Sequence, residues 1–457
     1  MMYNLKKILA AILPASFFQK IIRAYHRVLP RLGATLYRNP SKNMRVVAVT
    51  GTKGKSSTTE MLSAIFEEAG EKTAVLNSIR IKIADMSKPN EMRMSMPGRF
   101  FIQRFLSRAV RAGCKTVILE MTSEGARQCR HQCIELDALI FTNLAPEHIE
   151  SHGSFKAYAD AKFEIGRHLV RSKKRPRIIV THGDDPESHR YLSLPVDKHF
   201  AFSLSATSPW SASDRGGYFT FDGEKIPVHL PGEFSLRNAI AAATLARAMG
   251  IETKTIARAL DKLTVIPGRA ERIEAGQDFA VVVDYAHTPD SLQALYDAYL
   301  SPSTPLDETR DKSLGTKRKL ICVLGATGGG RDTWKRPVMG TIADLNCEHV
   351  ILTNEDPYDE DPRNIIDMVA SKMKNAPEII MDRRGAISRA LEIAMRLSRD
   401  AQSLDRAQGA QNSVAVLITG KGTDPTICGP HGTKLPWSDV SIVKEELQKL
   451  KTNDRIM

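Results

Sequence analysis

The stretch VVAVTGTKGKSSTTEML, residues 46–62, has the residue types and spacing of a site that binds phosphate. An apolar run that ends in a glycine turn and opens a helix directs unpaired N–H groups and a positive dipole end at an anion. Lys55 can reach the terminal phosphates of a nucleotide, and the Ser56 hydroxyl can bind Mg²⁺. The sequence therefore predicts a nucleotide-binding loop, which consists of Gly51, Thr52, Lys53, Gly54, Lys55, Ser56 and Ser57.

Three later side chains are candidate metal ligands. Glu120 ends the apolar run VILE, where a carboxylate extends beyond the carboxyl edge of a parallel sheet. Taken alone, Glu120 fits a magnesium ligand and a solvated strand end equally well. His148 and Lys162 follow the next predicted strand, in TNLAPEHIESHGSFKAYADAK. A single histidine is usually structural and a single helical lysine usually lies at the surface, but their position after a strand of the same sheet favours a cluster.

Alternating strands and helices position these residues. The predicted strands of the first part are 45–50, 73–76, 116–119, 138–142 and 177–181, and a helix covers 55–69. This order predicts a parallel sheet with helices on both faces. An alanine-rich helix ends at Gly250, and a second α/β unit begins near residue 265, with strands at 279–283, 319–324, 350–353, 378–381 and 413–419. The polar segments 301–317 and 398–413 predict surface loops.

Composition narrows the class of protein. A chain of 457 residues predicts two or three domains, and 42% hydrophobic with 26% charged residues is typical of a soluble enzyme. The net charge of +13 favours anionic ligands or an anionic surface. Nucleic acid is not expected as a partner, because no nucleic-acid motif accompanies the charge. The six cysteines are scattered, and we expect reduced thiols that bind no metal, in a cytoplasmic protein.

The N-terminal residues are basic and carry an apolar stripe, formed by Leu5, Ile8, Leu9 and Ile12. Pro14 and the basic residues that follow, with no small-residue cleavage site, argue against a signal peptide. No stretch of the sequence has the length of a membrane-spanning helix. A basic amphipathic helix either packs on the protein body, which is the more frequent case, or lies on an anionic membrane. Peripheral membrane contact through residues 1–31 is thus an open alternative.

With these motifs in view, the chain resembles the Mur ligases, the ATP-dependent amide-forming enzymes of peptidoglycan precursor synthesis. The matching motifs run from the phosphate loop almost to the C-terminus, and they include GTKGKSST, GEFSLRNAIAAA, PGRAERIE, VVVDYAHTPDSL, GATGGGRDTWKRPVMG and GKG. DYAHTPDSL and GGGRDTWKRPVMG are most similar to the branch that adds the third stem-peptide residue to a UDP-N-acetylmuramoyl-dipeptide.

The resemblance implies an α/β fold with a P-loop ATPase central domain on a parallel sheet and a Rossmann-like C-terminal domain. The expected ranges are 44–265 for the central domain and 266–457 for the C-terminal one. Residues 1–43 are expected to form a short helical segment in place of the larger uridine-binding domain of the family. ATP, two Mg²⁺ ions, a nucleotide-sugar peptide and an amino acid are the implied ligands, and we expect a monomer.

The resemblance also implies individual roles. The implied catalytic residues are Lys55, His148, Lys162 and Lys335. The implied magnesium ligands are Ser56, Glu120, His148 and Lys162, with Lys162 carbamylated by carbon dioxide so that a cation becomes a carboxylate-like ligand. Further implied contacts to the nucleotide are Asn238, Arg269, Asp284 and His287. Candidate substrate residues are Ser95, Arg130, Glu355, Asp356, Lys421 and Asp424.

Some motifs depart from the family pattern. Members that select diaminopimelate have Asp-Asn-Pro-Arg where this chain has Glu355 to Tyr358, and tyrosine cannot form the bidentate salt bridge of arginine. Diaminopimelate is therefore not favoured, and the acidic run fits either a side-chain amine such as that of lysine or an exposed acidic loop. GKGTD replaces Gly-Lys-Gly-His-Glu, and Glu124 replaces a histidine after the metal glutamate.

The sequence thus predicts a ligase that adds an amino acid to a UDP-N-acetylmuramoyl-peptide through an acyl phosphate. One alternative is a ligase of the same superfamily with a folylpolyglutamate-like, cyanophycin-like or lipid-linked acceptor. Another is a non-catalytic ATP-binding protein. An enzyme is favoured by the joint presence of Lys55, Ser56, Glu120, His148, Lys162 and Lys335.

Overall fold

The computed structural model of the protein describes residues 14–300, 318–404 and 413–454. The chain divides into two compact units. Of the described residues, the first unit holds 14–144, 156–202 and 244–251, and the second holds 145–155, 203–243 and those from 252 onward. Among the described helices, none combines the length and apolar character that crossing a membrane requires.

Helices and strands alternate through both units. The helices are α1 (Ala15–Leu36), α2 (Lys55–Glu68), α3 (Arg99–Arg111), α4 (Ser123–Arg127), α5 (Ile149–His152), α6 (Phe155–Val170), α7 (Ser188–Leu192), α8 (Gly232–Ala248), α9 (Thr253–Lys262), α10 (Pro289–Leu300), α11 (Lys335–Asn346), α12 (Pro362–Ala370), α13 (Arg383–Leu404) and α14 (Asp439–Asp454). Short 3₁₀ helices cover Pro40–Asn43, Ser205–Thr207 and Pro430–Gly432.

The strands of the first unit are β1 (Arg45–Thr50), β2 (Thr73–Leu76), β3 (Arg80–Ile83), β4 (Met86–Pro89), β5 (Thr116–Glu120), β6 (Ala138–Phe141), β7 (Ile178–His182) and β8 (Lys198–Phe202). Those of the second unit are β9 (Ser211–Ser213), β10 (Gly216–Phe221), β11 (Glu224–Val228), β12 (Glu271–Arg272), β13 (Ala280–Asp284), β14 (Lys319–Leu324), β15 (His349–Leu352), β16 (Glu378–Ile379), β17 (Val414–Thr419), β18 (Thr426–Cys428) and β19 (Lys434–Pro436).

The sheet of the first unit places the strand ends that carry the candidate site side by side. Its described strands run in the order β4-β3-β2-β5-β1-β6-β7-β8. The six strands β2, β5, β1, β6, β7 and β8 pair in parallel in that order. In β1, Val49 pairs with Glu120 of β5, and Thr50 pairs with Phe141 of β6. Because parallel strands end at the same edge, the residues after β1, β5 and β6 meet there.

The second unit is built around another mostly parallel sheet, in the order β12-β13-β17-β14-β15-β16. Its central strands, β13, β17, β14 and β15, are buried on both faces. Val282 and Cys322 point into one apolar core, while Val281 and Ile321 point into the other. The alternation of neighbouring residues between two cores explains why these strands have unbroken apolar sequences.

Helix α1 packs on α3 through a glycine. A Cβ atom on Gly33 would lie 3.4 Å from Gln103 Cγ and 3.6 Å from Phe100 Cδ1, so the missing side chain allows the helices to approach closely. The described part of residues 1–43 is thus largely helical and packs on the body of the first unit. The predicted apolar stripe of residues 5–12 lies outside the described residues.

The predicted parallel α/β fold is confirmed, and the predicted strands 73–76 and 319–324 have the observed bounds. Strand 116–119 extends by one residue, so that Glu120 itself is the last strand residue. The antiparallel strands β3, β4 and β9 to β11 were not predicted, because they are short and mostly half-exposed.

Two predictions are wrong. Cys322 and Cys347 are not reduced thiols, since they form a disulfide whose Cα atoms lie 6.1 Å apart. Cys322 lies on β14 and Cys347 directly follows α11, so the helix that packs back on the sheet brings distant residues together. Segment 398–413 is not a loop throughout, because α13 continues to Leu404. Segment 301–317 lies outside the described residues.

Candidate active site

The turn after β1 has a backbone that only glycine can adopt. Gly51 has a φ of 146°, and a Cβ atom there would lie 2.0 Å from Thr142 Oγ1. Gly54, with a φ of 80°, is the N-cap residue of α2. The N-terminal N–H groups of α2 thus follow a tight turn, and Lys55 opens the helix with its Nζ 2.8 Å from the carbonyl oxygen of Thr52. This is the geometry of a phosphate-binding loop.

A serine–glutamate cluster lies beside the loop, where β1 and β5 end. Ser56 Oγ donates a hydrogen bond of 2.8 Å to Glu120 Oε2, which also accepts the backbone N–H of Ser78 at 3.1 Å. Ser95 Oγ donates to the other carboxylate oxygen, Oε1, at 2.7 Å. Glu120 is 4% exposed. Because it is buried, the interpretation of Glu120 as a solvated strand end is wrong.

The surroundings of Glu120 favour its ionised form. Burial by itself raises the pKa of a carboxyl group, but the charge of Lys55 and the hydrogen bonds from Ser95, Ser56 and the Ser78 backbone outweigh it. The pKa of Glu120 is therefore held below its ordinary value. An ionised carboxylate next to a serine hydroxyl is a hard oxygen donor set, and this set fits Mg²⁺.

Lys162 is buried on α6 beneath the phosphate loop. Its Nζ donates a hydrogen bond of 2.6 Å to the Gly51 carbonyl oxygen and lies 4.6 Å from the centre of the Tyr158 ring. The Tyr158 hydroxyl in turn lies 3.0 Å from Thr52 Oγ1. The side chain is 2% exposed. Lys162 therefore contacts the backbone of the turn that begins the loop.

His148 belongs to the second unit, together with residues 145–155. It has a left-handed φ of 57° and precedes α5. Its backbone N–H donates to Asp332 Oδ2 at 3.0 Å, and its ring Nδ1 lies 3.8 Å from the same oxygen. Glu150 accepts hydrogen bonds from the backbone N–H groups of Asp332 and Thr333, just before α11. This segment is thus anchored to the N-terminus of α11.

Three of the candidate nucleotide contacts surround the end of β13. Arg269 stacks on the Tyr285 ring at 4.4 Å, and His287 Nδ1 lies 2.8 Å from the Tyr285 carbonyl oxygen. Asp284 accepts the backbone N–H groups of Ala270 and Ala286 at 2.5 and 2.6 Å. Burial raises the pKa of Asp284 despite the opposing charge of Arg269 and these N–H groups.

The fourth candidate nucleotide contact, Asn238, is buried on α8.

Lys335 is the first residue of α11 and is 6% exposed. Its backbone N–H donates to the Asp332 carbonyl oxygen at 3.1 Å. Trp334, directly before it, is 39% exposed. The N-terminus of α11 therefore carries both a buried lysine and a solvent-accessible indole.

The family models and the related sequences agree on one assignment. A model described as the Mur ligase middle domain matches residues 49–246, and one described as the Mur ligase, glutamate ligase domain matches residues 268–422. The chain belongs to the Mur ligase family. It is therefore an ATP-dependent ligase that joins a carboxylate to an amine, and the predicted family is confirmed.

Two relatives show the sequence similarity of this Mur ligase to proteins named for the addition of the third stem-peptide residue. The UDP-N-acetylmuramoyl-L-alanyl-D-glutamate--2,6-diaminopimelate ligase of Syntrophomonas wolfei is 34% identical over 381 residues, which cover 80% of this chain and 74% of that protein. The UDP-N-acetylmuramyl-tripeptide synthetase of a Roseiflexus species is 32% identical over 445 residues, covering 92% and 82%.

Among solved structures, folylpolyglutamate synthase of Mycobacterium tuberculosis superposes on this Mur ligase with a TM-score of 0.64 and 16% identity. The match covers 87% of this chain and 93% of that chain. A structure of a UDP-N-acetylmuramoyl-L-alanyl-D-glutamate--2,6-diaminopimelate ligase gives 0.59 at 23% identity, with 93% and 83% covered. At these identities the two structures establish a common fold.

In this Mur ligase, the acidic run after β15 is not an exposed loop at its start. Glu355 is 3% exposed and Asp356 is 2% exposed. Asp356 Oδ1 accepts hydrogen bonds from Lys421 Nζ at 2.9 Å and from the Cys428 backbone N–H at 2.7 Å. Asp424 lies 3.5 Å from the same lysine. The candidate residues Glu355, Asp356 and Lys421 therefore form one buried cluster in the second unit, and the half-buried Asp424 lies beside it.

The remaining candidates lie in the first unit. Arg130 donates to the Met96 carbonyl oxygen, and at 2.8 Å to Gln128 Oε1, while burial lowers its pKa. Ser95, proposed as a substrate residue, binds the carboxylate of Glu120. Glu124, the replacement for the family histidine, makes an ion pair of 2.8 Å with Arg127.

The sequence did not identify several partners of the site. Ser78 was missed because a serine in a loop after a strand has no recognisable pattern. Glu147 was missed although its motif APEH was singled out. Its carboxylate lies 3.2 Å from His287 Nε2. Within the described ranges, no group of three or more histidine, cysteine, aspartate or glutamate side chains is arranged to hold a metal. The proposed ligand Ser56 is a serine, and serine is not among these four residue types.

Proposed function

We propose that this Mur ligase joins an amino acid to a UDP-N-acetylmuramoyl-dipeptide in peptidoglycan precursor synthesis. The relatives at 34% and 32% identity are named for that acceptor or for the tripeptide product. The observation that carries the proposal is the buried Ser56–Glu120 pair at the mouth of the phosphate loop. The carboxylate and the hydroxyl of this pair are oxygen donors for the magnesium ion that accompanies a reacting nucleotide phosphate.

The reaction has two steps, and an acyl phosphate is formed in the first and consumed in the second. A carboxylate oxygen of the acceptor attacks the γ-phosphorus of ATP, and ADP leaves with the electron pair of the broken P–O bond. The amine of the amino acid then attacks the acyl phosphate carbon, loses a proton and expels inorganic phosphate. The loop N–H groups and Lys55 hold the phosphates and stabilise the charge that develops on their oxygens. Bound Mg²⁺ supplies Lewis-acid stabilisation of the phosphoryl oxygens.

The proposed magnesium ligands are Ser56, Glu120, His148 and a carbamylated Lys162, with Ser56 assigned to the first of two ions. The buried amine of Lys162 supports carbamylation, because a cation would repel magnesium and a carbamate would attract it. Carbamylation is tested with ¹³C-bicarbonate, which gives a carbamate carbon resonance in the wild type and none in Lys162→Ala. A wild type without that resonance contradicts this assignment.

Asn238, Arg269, Asp284, His287 and Lys335 are proposed to contact the nucleotide, and Ser95, Arg130, Glu355, Asp356, Lys421 and Asp424 to contact the substrates. The assignment of 44–265 and 266–457 as domains, a monomeric state and a cytoplasmic location remain predictions. Membrane contact through residues 1–31 also belongs to the proposal.

The test is phosphate release from ATP with Mg²⁺, bicarbonate and UDP-N-acetylmuramoyl-L-alanyl-D-glutamate, screened against single amino acids that include lysine and diaminopimelate. We expect release that requires both the nucleotide sugar and one amino acid. Tyr358 stands where an arginine would bind the distal carboxylate, so diaminopimelate is not expected to be preferred. Release with a folate or a lipid-linked acceptor instead would replace the proposed acceptor.

Lys162→Ala separates catalysis from binding. We expect it to reduce amide formation at least a thousandfold and to change the Kd for ATP little, because its amine contacts the loop backbone rather than forming it. Lys156→Ala, an exposed lysine of the same helix, is the matched control and keeps full activity. Equal amide formation by the two variants would contradict the catalytic role of Lys162. No amide formation by the wild type, in protein that still binds ATP, would support a protein that binds ATP without turnover.

A further inference from the structure

The exposed side of α1 and α3 differs in charge from an ordinary protein surface. Neither helix contains an aspartate or glutamate, and the first acidic residue of the entire chain is Glu60. Their exposed arginines are Arg27, Arg31, Arg104, Arg108 and Arg111. Surface helices normally mix both signs of charge. The two helices therefore present a positive surface without acidic residues of their own.

Apolar side chains lie on the same side of α1. Ile21, Val28, Leu32 and Leu36 are 37%, 47%, 54% and 66% exposed. At 100° per residue these four positions fall within about 80° of the helix circumference. The opposite side of the helix is buried at Pro30 and Ala34, and the buried Gly33 lies between the two sides, about 60° from Leu36. The exposure therefore belongs to a continuous stripe, and not to scattered surface residues.

Helix α3 extends this surface. Phe100 is 38% exposed, and its ring lies beside Gly33 of α1. Gly33 directly follows Leu32 in the sequence and is about one helical turn from Leu36. By helical spacing, Phe100, Arg104, Arg108 and Arg111 share one face of α3. We name the combined surface the α1–α3 face, and its central residues are Val28, Leu32, Leu36, Phe100, Arg104 and Arg108.

We propose that the α1–α3 face docks on the surface of an anionic lipid bilayer. Apolar side chains flanked by arginines suit the boundary between acyl chains and headgroups, where the guanidinium groups meet lipid phosphates. A second copy of the chain fits this face poorly, because two surfaces of the same charge repel each other. The argument rests on the described residues of α1 and α3. It deepens the proposed membrane contact of residues 1–31 and is independent of the proposed ligase reaction.

The test is flotation of the full-length protein with vesicles of phosphatidylcholine alone and of phosphatidylcholine mixed with phosphatidylglycerol. We expect at least tenfold stronger binding to the mixed vesicles, and weaker binding as salt concentration rises. Equal binding to both vesicles, or no binding to either, would overturn the proposal.

Substitutions locate the contact. Leu36→Glu is expected to weaken binding at least tenfold, and Arg108→Gln to weaken it about fivefold. The matched controls lie in the second unit. Leu345 is as exposed as Leu36, at 66%, and Arg396 is an exposed helical arginine. Leu345→Glu and Arg396→Gln should bind like the wild type, and all four variants should keep the thermal unfolding midpoint.

Other occupants of the face give distinct results. A dimer that Leu36→Glu dissociates, in protein that does not float with vesicles, would assign the face to a second copy. A chain without residues 1–13 should retain most of its binding. Complete loss on that deletion, with full binding by Leu36→Glu, would assign the contact to the deleted segment. Phosphate release by the proposed ligase reaction should be unchanged in Leu36→Glu, so the two proposals fail independently.

Discussion

Glu120 and Glu355 are two buried glutamates at the carboxyl ends of parallel strands, one in each unit, but their surroundings differ. Both oxygens of Glu120 accept hydrogen bonds, from Ser56, Ser78 and Ser95. At Glu355, Oε1 accepts from Thr327 at 2.8 Å, and Oε2 has no hydrogen-bond partner among the described residues. The same residue type at the same edge of a sheet is thus fully hydrogen-bonded in one unit and only partly in the other.

The two pKa values move in opposite directions as a result. Burial acts on both groups, but Lys55 and the hydrogen bonds hold the pKa of Glu120 below its ordinary value. Burial raises the pKa of Glu355, although the charges of Arg383 and Lys421 oppose the shift; the neighbouring carboxylate of Asp356 adds to it. The comparison shows that neighbouring charges and hydrogen-bond donors, and not burial alone, decide whether a buried carboxyl group serves as an anion.

The largest expected effect is that of Glu120→Gln. The variant keeps the side-chain size but removes the charge that a magnesium ligand needs, so we expect kcat for phosphate release to fall by a factor of about 1,000, or about 4 kcal/mol. Glu355→Gln should cost much less activity. If the two substitutions reduced kcat equally, the distinction between the glutamates would be wrong.

Lys421→Met removes the charge that compensates Asp356 in the buried cluster of the second unit. Because it leaves a buried carboxylate without its cation, we expect a loss of about 3 kcal/mol in the free energy of unfolding, measured by urea denaturation. The exposed Lys434→Met is the control and should change little. The double variant Lys421→Met/Asp356→Asn should recover part of the loss, and no recovery would contradict the pairing.

Ser95→Ala removes one hydrogen bond from Glu120. A hydrogen bond to a charged group is worth about 1.5 kcal/mol, so we expect the magnesium concentration for half-maximal activity to change about tenfold. The exposed Ser87→Ala serves as the control. An unchanged magnesium dependence would show that Ser95 does not position the carboxylate.

The smallest effect is the pH dependence of stability at Glu355. Its folded pKa is raised above the ordinary 4.5, so the stability contributed by the protonated form is present below pH 4.5 and is lost as pH rises through the folded pKa. The thermal unfolding midpoint of Glu355→Gln should therefore exceed that of the wild type by more at pH 8 than at pH 5. Each kcal/mol of difference in the free energy of unfolding corresponds to about 2 to 4 °C in that midpoint. Glu392→Gln, at an exposed position, should show no such trend. At Glu120, the opposite sign applies, and stability is lost as pH falls below 4.5.

The sequence predicted the strands and the phosphate loop well, because unbroken apolar runs and a glycine turn are local signals. Thr73–Leu76 and Lys319–Leu324 are examples. It did not predict that Ser78 and Ser95 bind Glu120, since those contacts join loops that are distant in sequence. The Cys322–Cys347 disulfide was missed for the same reason, because it depends on how α11 packs against β14.

The burial of Glu355 and Asp356 also escaped prediction. An acidic run that continues into exposed Asp359 has the composition of a surface loop. Only the fold shows that Lys421, from a segment beyond β17, supplies the compensating charge. Composition therefore reports the average environment of a segment, whereas the environment of each carboxylate depends on its partners.

The exposed indole of Trp334 gives this Mur ligase an intrinsic optical reporter. The chain has three tryptophans, and this one directly precedes Lys335 at the start of α11. A change in the polarity around α11 during turnover would alter its emission without any attached dye. Replacing Trp210 and Trp437 with phenylalanine would leave a single emitter, and stopped-flow fluorescence could then time events at this helix in each catalytic cycle.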